Sequence, residues 1–115
     1  MIKRYEGQPG QYSSMVVHDG IAHLAGLIAT DWDGDMSQQS GDIFAQIEAL
    51  LSQAGTNKSK LLSVQVFITD FENYGAFKSA YQQWLGGENL PARATVRADL
   101  LDESLLIEIM CTAAI

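Results

Sequence analysis

The stretch Leu105-Leu106-Ile107-Glu108-Ile109-Met110-Cys111 decides much of the fold, because it is apolar on both alternations of an extended strand. One alternation carries Leu105, Ile107, Ile109 and Cys111, and the other carries Leu106 and Met110. A strand of this kind needs cover on both faces. The chain has 115 residues, enough for one domain, and its periodicity predicts only two helices. We therefore expect a partner subunit to cover the second face.

A hairpin and a helix are predicted in the first half of the chain. Residues 12–17 and 21–28 are short β-prone runs that flank Asp19-Gly20. Asp-Gly is a strong hairpin signal because both residues tolerate positive φ. Apolar residues then recur at helical spacing over 43–54, and the polar tract that precedes them, 30–41, is expected to be a surface loop.

The second half of the chain predicts a strand, a helix and two further strands. Residues 61–69 alternate as a strand does, and Thr69-Asp70-Phe71-Glu72 has the pattern of a capping box at the start of a helix. Gly86-Gly87 ends that helix, and strands follow over 94–100 and 105–114. The predicted order is β-β-α-β-α-β-β, an α+β fold in a single domain over residues 1–115.

An aromatic stripe runs along the second predicted helix. It comprises Phe71, Tyr74, Phe77, Tyr81 and Trp84. Such a stripe could stack against a ligand, but aromatic residues on a helix that covers a sheet usually belong to the core. We interpret the stripe as core.

Composition and charge narrow the function classes. Hydrophobic residues make up 47% of the chain and charged residues 18%, as in globular proteins. The net charge of −7 would repel phosphate backbones and anionic lipid, so nucleic acid is an improbable partner. The chain shows no apolar segment long enough for a signal peptide or a membrane span, and it has one cysteine. We expect a cytoplasmic protein with no membrane association.

Arg93 and Glu108 are the strongest candidates for a functional site. Arg93 follows Pro91-Ala92 where a strand begins, and Glu108 is the one charge in an apolar strand. Burying a charge is costly unless it is paired or has a function. The two residues therefore indicate either a binding site or a structural ion pair, between strands or between subunits.

Six short segments of the chain together resemble a known family. They are Gln11-Tyr12-Ser13-Ser14, Ala25-Gly26, Gln53-Ala54-Gly55, Val66-Phe67-Ile68-Thr69-Asp70, Pro91-Ala92-Arg93-Ala94-Thr95-Val96 and Ile107-Glu108-Ile109. In order and spacing they resemble the RidA (YjgF-type) family of reactive-intermediate deaminases. The resemblance spans nearly the whole chain, and the Pro-Ala-Arg segment and the late Ile-Glu-Ile strand are its most specific parts.

The resemblance implies a fold, an assembly and an activity. The fold is chorismate-mutase-like (Bacillus type), in a homotrimer whose sheets form a central barrel with ligand sites between neighbouring subunits. The activity is hydrolysis of small 2-imino or enamine acids, such as 2-iminopropanoate, to 2-keto acids and ammonia. It requires no metal and no organic cofactor.

The resemblance also implies roles for individual residues. Arg93 corresponds to the residue that holds the substrate carboxylate, and Glu108 to the residue that orients the hydrolytic water. Tyr12 corresponds to an aromatic residue of the cleft, and Thr95 to a residue whose backbone faces the ligand. A planar guanidinium offers paired donors that match a carboxylate, which lysine cannot reproduce.

The chain departs from the best-characterised branch of that family at two places. Ala25-Gly26-Leu27 stands where that branch has Ser-Gly-Gln, and Lys78 replaces an asparagine on the second helix. Gly26, Leu27 and Lys78 are therefore expected at the substrate cleft with altered polarity. Lys78 could supply a second contact to an anion or could be a solvated lysine on a helix face.

An acidic loop imitates a calcium site. Asp31, Asp33 and Asp35 match the first ligands of a calcium-binding loop, but Gly34 has the wrong offset and Asp42 stands where a bidentate glutamate is needed. We interpret these residues as a solvated loop.

Histidine and cysteine offer no clear alternative site. His18 and His23 flank the hairpin turn without a third ligand, and Cys111 lies in an apolar strand. We expect turn and core roles for the histidines, a buried inert thiol, and no metal site.

Three classes of function remain. The resemblance implies an imine deaminase and, for some members of the family, an endoribonuclease or translation inhibitor; the other class is a non-catalytic module that binds small carboxylates between subunits. The chain has only 7 basic residues, which disfavours the endoribonuclease class because phosphate binding requires clustered lysine and arginine. The sequence does not separate the other two classes.

Overall fold

The computed structural model describes residues 1–115 as a six-stranded sheet with two long helices. The elements are β1 (Lys3–Glu6), β2 (Ser13–His18), β3 (Ile21–Leu24), α1 (Met36–Gln53), β4 (Leu61–Ile68), α2 (Tyr74–Leu85), β5 (Ala92–Arg97) and β6 (Ile107–Ala114). The spatial order is β1-β2-β3-β6-β4-β5. All neighbours pair antiparallel except β4 and β5, which are parallel and are connected through α2. The predicted α+β fold is confirmed.

One strand was missing from the predicted order. β1 is an edge strand of sequence Lys-Arg-Tyr-Glu, paired only with β2, and it precedes the predicted hairpin. Its residues are mostly exposed, so it lacks the apolar alternation that predicts a half-buried strand. Charged residues on an edge strand also discourage pairing with other sheets. The observed order is β-β-β-α-β-α-β-β.

The first helix is longer than the prediction. α1 begins at Met36, inside the tract predicted to be a loop, because Asp35 forms a capping box with Gln38. The Asp35 carboxylate accepts from the Gln38 amide at 2.9 Å, and the Gln38 side chain accepts from the Asp35 amide at 2.8 Å. These bonds satisfy backbone donors that a helix start leaves unpaired.

The predicted capping box at the second helix is wrong. Asp70, not Thr69, accepts a hydrogen bond from the Glu72 amide at 2.9 Å, and it begins a 3-10 turn over Phe71–Asn73 that leads into α2. The Thr69 amide instead extends the sheet by donating to the Leu106 carbonyl at 3.2 Å, so it is not free for the side chain of Glu72.

The hairpin turn is confirmed, although its second strand is shorter than predicted. Asp19 has a φ of 51° and Gly20 a φ of 77°. β3 ends at Leu24, and the chain rejoins the sheet at Leu27, whose amide and carbonyl bond the backbone of Ile109 at 2.8 and 3.0 Å. Gly26 is thereby placed beside β6. β5 spans Ala92–Arg97, two residues earlier at its start than predicted.

Both helices pack on one face of the sheet, as predicted. The core contains buried residues of α1, α2 and all strands except β5 and β1, among them Met15, Leu24, Ile43, Ile47, Leu51, Val64, Val66, Phe77, Ile107 and Ile109. Neither helix combines the length and the apolar character that crossing a bilayer requires.

The second face of the sheet is not covered by the chain. In β6, Ile107, Ile109 and Cys111 are buried under the helices, whereas Met110 is 40% exposed on the other face. Val96 of β5 is 46% exposed there as well. We call this face of the sheet the open face. That a partner subunit covers it remains a prediction, which rests on the apolar character of β6 on both alternations.

Candidate functional site

Arg93 lies on edge strand β5 with its guanidinium over aromatic rings of α2. Its Cζ is 4.8 Å from the ring centroid of Tyr81 and 5.4 Å from that of Phe77, distances typical of cation–π contacts. Its Nη2 donates to the Tyr74 hydroxyl at 2.9 Å. The only ion pair within the chain is between His18 and Asp19. The guanidinium is therefore oriented by α2 and has donors left for a ligand.

A cavity opens beside this guanidinium. It has a volume of about 400 Å³ and is lined by Phe71, Tyr74, Arg93 and Thr95. The Thr95 hydroxyl is buried at its wall and has no hydrogen-bond partner in the chain. An unpaired buried hydroxyl is costly, and a carboxylate on Arg93 could supply the missing acceptor. The cavity has the size and the donors for a small carboxylic acid.

A second cavity lies on the other side of Arg93. Its volume is about 290 Å³, and its lining includes Lys78, Tyr81 and Pro91 as well as Arg93. Lys78 is exposed on α2 and forms no ion pair. The structure thus brings Arg93, Thr95 and Lys78 into one region, where they line two cavities that share Arg93.

Glu108 is held by a different part of the sheet. It lies on β6 opposite Phe67 of β4, on the open face, and is partly buried. A Cβ atom on Gly26 would collide with the Glu108 carboxylate, since even the carboxylate carbon would be only 3.2 Å away. Glycine at position 26 therefore leaves the space that this carboxylate occupies.

Arg93 and Glu108 face opposite sides of the sheet within one chain. Arg93 is in register with Val64, which is buried under the helices, whereas Glu108 is in register with Phe67 on the open face. Three residues along β4 and two strand spacings separate them, which corresponds to about 10 Å in each direction. No ion pair between strands of the same chain joins them, and that structural alternative is excluded.

The remaining predicted site residues lie toward the end of the sheet where Glu108 lies. Tyr12 is 60% exposed just before β2, at the end of the sheet that also holds Gly26. The Leu27 side chain packs against the core while its backbone pairs with Ile109. Leu27 therefore offers a ligand little of its side chain.

The sequence analysis missed two residues of the Arg93 cavity by assigning the whole aromatic stripe to the core. The core interpretation is correct for Phe77 and Tyr81, which are 0% and 7% exposed. It is wrong for Phe71, which is 53% exposed. Tyr74 packs its ring against the core and also accepts a hydrogen bond from Arg93 through its hydroxyl. Phe71 lies in the 3-10 turn before α2 and not on the helix itself.

The acidic loop is held together by its own hydrogen bonds. Asp31 accepts from the Asp33 amide at 3.0 Å, and Asp42 accepts from the amide and the hydroxyl of Thr30, both at 2.7 Å. The hydrogen bond from the Thr30 side chain is the main cause that lowers the pKa of Asp42 below its usual 3.8. These carboxylates stabilise the entry into α1.

Cys111 is buried under the helices, as predicted. Desolvation raises the pKa of its thiol from 9.0 to about 12, so the reactive thiolate is absent near neutral pH. His18 contacts Asp19 at 3.2 Å in the turn, as predicted. The core role expected for His23 is wrong, because its side chain is exposed on β3.

Comparisons with known proteins match most of the chain. The family model for endoribonuclease L-PSP matches residues 6–115. A RutC family protein of Haemophilus ducreyi is 31% identical over 105 residues, which cover 91% of this chain and 90% of the relative. The RutC family protein YoaB of Escherichia coli is 30% identical over 105 residues, with 91% of each chain covered.

Solved structures match over the whole fold. A Pseudomonas aeruginosa protein has a TM-score of 0.95 at 28% identity and covers 99% of this chain and 98% of its own. A member of the Rid protein family from Yersinia pestis has a TM-score of 0.89 at 28% identity, with 100% of both chains covered. The chain belongs to the endoribonuclease L-PSP family of RidA and YjgF-type proteins, and the resemblance drawn from the sequence is confirmed.

Proposed function

We propose that this protein hydrolyses small 2-imino or enamine acids to 2-keto acids and ammonia. The observation that carries the proposal is the Arg93 guanidinium, which α2 orients toward a cavity of about 400 Å³ although no carboxylate of the chain pairs with it. A planar guanidinium matches one carboxylate through two parallel hydrogen bonds. Thr95, with its unpaired hydroxyl at the same wall, adds a third donor.

Glu108 is proposed to activate the water. It takes a proton from water while the water oxygen bonds to C2, and the C=N electron pair moves onto nitrogen. Glu108 returns this proton to nitrogen, which gives a tetrahedral carbinolamine. The hydroxyl proton then passes by way of Glu108 to the amine, the C–N bond breaks, and ammonia leaves as the carbonyl of the 2-keto acid forms. General acid–base assistance of this kind is typically worth about 10²–10⁴ in rate. No redox change occurs, so the reaction needs no electron acceptor.

The site is proposed to lie between two subunits of a homotrimer. Arg93 and Glu108 of one chain face opposite sides of the sheet, so one chain cannot direct both at the same substrate. A neighbouring copy seated on the open face would bring its own Arg93 toward Glu108. It would also cover Met110 and Val96, whose exposure is costly in water.

A non-catalytic carboxylate-binding protein is the second candidate. The arrangement of Arg93, Thr95 and their cavity is complete within one chain, and it would bind a carboxylate even if Glu108 never approached. An endoribonuclease, the activity in the family's name, is less compatible with a net charge of −7.

The deciding experiment supplies 2-imino acids from an amino-acid oxidase and follows keto-acid or ammonia release with and without the protein. We expect release to accelerate with the protein and light scattering to give three times 12.6 kDa. An unchanged rate together with measurable 2-keto-acid binding would favour the second candidate. A monomer at micromolar concentration would contradict the intersubunit site.

A further inference from the structure

Lys78 and Arg93 give the site two positive charges. The chain has 7 basic and 14 acidic residues. Two of the 7 basic residues line the cavity of about 290 Å³, while no acidic residue lines that cavity or the adjoining one. In an acidic protein this concentration of positive charge creates a local field that attracts anions with more than one negative charge.

The two cations are fixed on one surface. Lys78 lies on α2 one turn after Tyr74 and one turn before Tyr81, the two residues whose hydroxyl and ring orient Arg93. Residues three and four apart on a helix share a face, so the Lys78 stem projects from the face that carries the guanidinium. No carboxylate of the chain neutralises either cation.

The Tyr81 hydroxyl adds an uncharged donor to the same cavity wall. It is buried and has no hydrogen-bond partner in the chain. A buried hydroxyl without a partner loses the hydrogen bonds that it made to water. A second carboxylate beside Lys78 would supply the acceptor that this hydroxyl lacks.

We infer that the preferred substrates are 2-imino acids with a second carboxylate at the far end of a short chain, bound between Arg93 and Lys78. The first carboxylate and Thr95 occupy one cavity, and the distal carboxylate occupies the other with Lys78 and Tyr81. This inference rests on the part of the proposed function that places the substrate carboxylate on Arg93. It does not depend on turnover.

Equilibrium binding of stable 2-keto acids tests this subsite. Calorimetry compares 2-oxoglutarate with 5-methyl-2-oxohexanoate, in which an isopropyl group replaces the distal carboxylate at similar size. We expect the parent protein to bind 2-oxoglutarate about 5- to 20-fold more tightly at low salt, and this ratio to shrink as salt rises. Equal affinities, or tighter binding of the isopropyl compound, would overturn the subsite.

Variants assign the preference to Lys78. Lys78→Met should bring the affinity ratio close to one, Lys78→Arg should retain it, and Tyr81→Phe should lower it by about 3-fold. Lys3→Met is the matched control, because it removes the same charge from β1 at the opposite edge of the sheet and should keep the ratio. A Lys78→Met variant with the parental ratio would overturn the assignment.

The binding experiment and the imine assay can succeed or fail independently of each other. If hydrolysis is absent but the ratio depends on Lys78, the dicarboxylate subsite stands and the catalytic proposal fails. If monocarboxylic imines are hydrolysed and the parent shows no preference for 2-oxoglutarate, the subsite fails and the catalytic proposal stands. Loss of all 2-keto-acid binding would overturn both.

Discussion

Arg93 and Glu108 lie on opposite faces of one sheet, three residues apart along the register of β4 that connects them. Arg93 is directed toward α2, and Glu108 is directed toward the open face beside Gly26. The proposed reaction therefore depends on assembly, because each chain would contribute Arg93 to one intersubunit site and Glu108 to another. A chain that lacks only one of the two residues could then form an intact site with a chain that lacks only the other.

Mixing two inactive variants should therefore restore activity. Arg93→Lys and Glu108→Gln chains, unfolded together and reassembled at equal amounts, should regain about a quarter of the parental rate, since three quarters of random trimers are mixed and each has one intact site. The measurement is imine hydrolysis before and after reassembly.

A second mixture provides the control for that experiment. Parent chains reassembled with the double variant Arg93→Lys/Glu108→Gln should also give about a quarter of the parental rate if sites lie between subunits, but about half if each chain holds a whole site. No recovery in the first mixture and half the rate in the second would contradict the intersubunit arrangement.

Arg93→Lys alone should weaken ligand binding or turnover by about 2–4 kcal/mol while the assembly persists, since lysine keeps the charge and loses the paired donors. Lysine also loses the planar contact with Tyr81. Calorimetry with a 2-keto acid gives the loss, and light scattering gives the assembly. Arg97→Lys, an exposed change on the same strand, is the control and should bind as the parent does. Dissociation of the Arg93 variant would show a structural role instead.

The sequence predicted those parts of the fold that local signals determine. The Asp19-Gly20 turn follows from two residues that tolerate positive φ, and the helices follow from apolar spacing. β1 carries no such signal, because an edge strand with polar residues resembles an exposed loop. The start of α1 depends on the Asp35 cap, which lies within a polar tract.

The residues of the candidate site could be predicted from the sequence, but their arrangement in space could not. Glu108 stands out because charges are rare in apolar strands, and Arg93 because it follows Pro91-Ala92 where a strand begins. Their placement on opposite faces depends on β4, which pairs with both of their strands in a register that only the folded chain defines. The contact between Gly26 and Glu108 arises where the chain rejoins the sheet after β3, and no periodic pattern marks that point.

Gly26→Ala should displace the Glu108 carboxylate and lower turnover by roughly 10- to 100-fold with little loss of stability. The new Cβ would overlap the carboxylate, whereas the backbone at Gly26 does not need positive φ. Adding Glu108→Asp shortens the acid and should recover part of the rate. Gly41→Ala, where a Cβ meets nothing within 4 Å, is the control. Parental kcat in the Gly26 variant would show that the carboxylate position is unimportant.

Burial of Cys111 should lower the free energy of unfolding of the protein at alkaline pH. Its thiol has a pKa of about 12 when folded and 9.0 ordinarily, so the unfolded chain holds fewer protons than the folded chain between these values. Stability from this group is present below pH 9 and falls as pH rises toward 12. Urea unfolding of the parent and of Cys111→Ala should show a steeper alkaline decline in the parent. Parallel declines, or rapid labelling of the native thiol near pH 7, would contradict its burial.

Glu108→Gln should separate binding from chemistry. The amide has the shape of the carboxylate but cannot accept the proton of the attacking water, so turnover should fall by roughly 10²-fold or more while 2-keto-acid affinity is retained. Keto-acid or ammonia release from 2-imino acids gives the rate, and calorimetry gives the affinity. Glu103→Gln, in the exposed loop before β6, is the matched control. Parental turnover in the Glu108 variant would show that water is activated elsewhere. Loss of the trimer with unchanged ligand contacts would instead identify Glu108 as one member of an intersubunit ion pair, because removing it leaves the opposing charge unpaired.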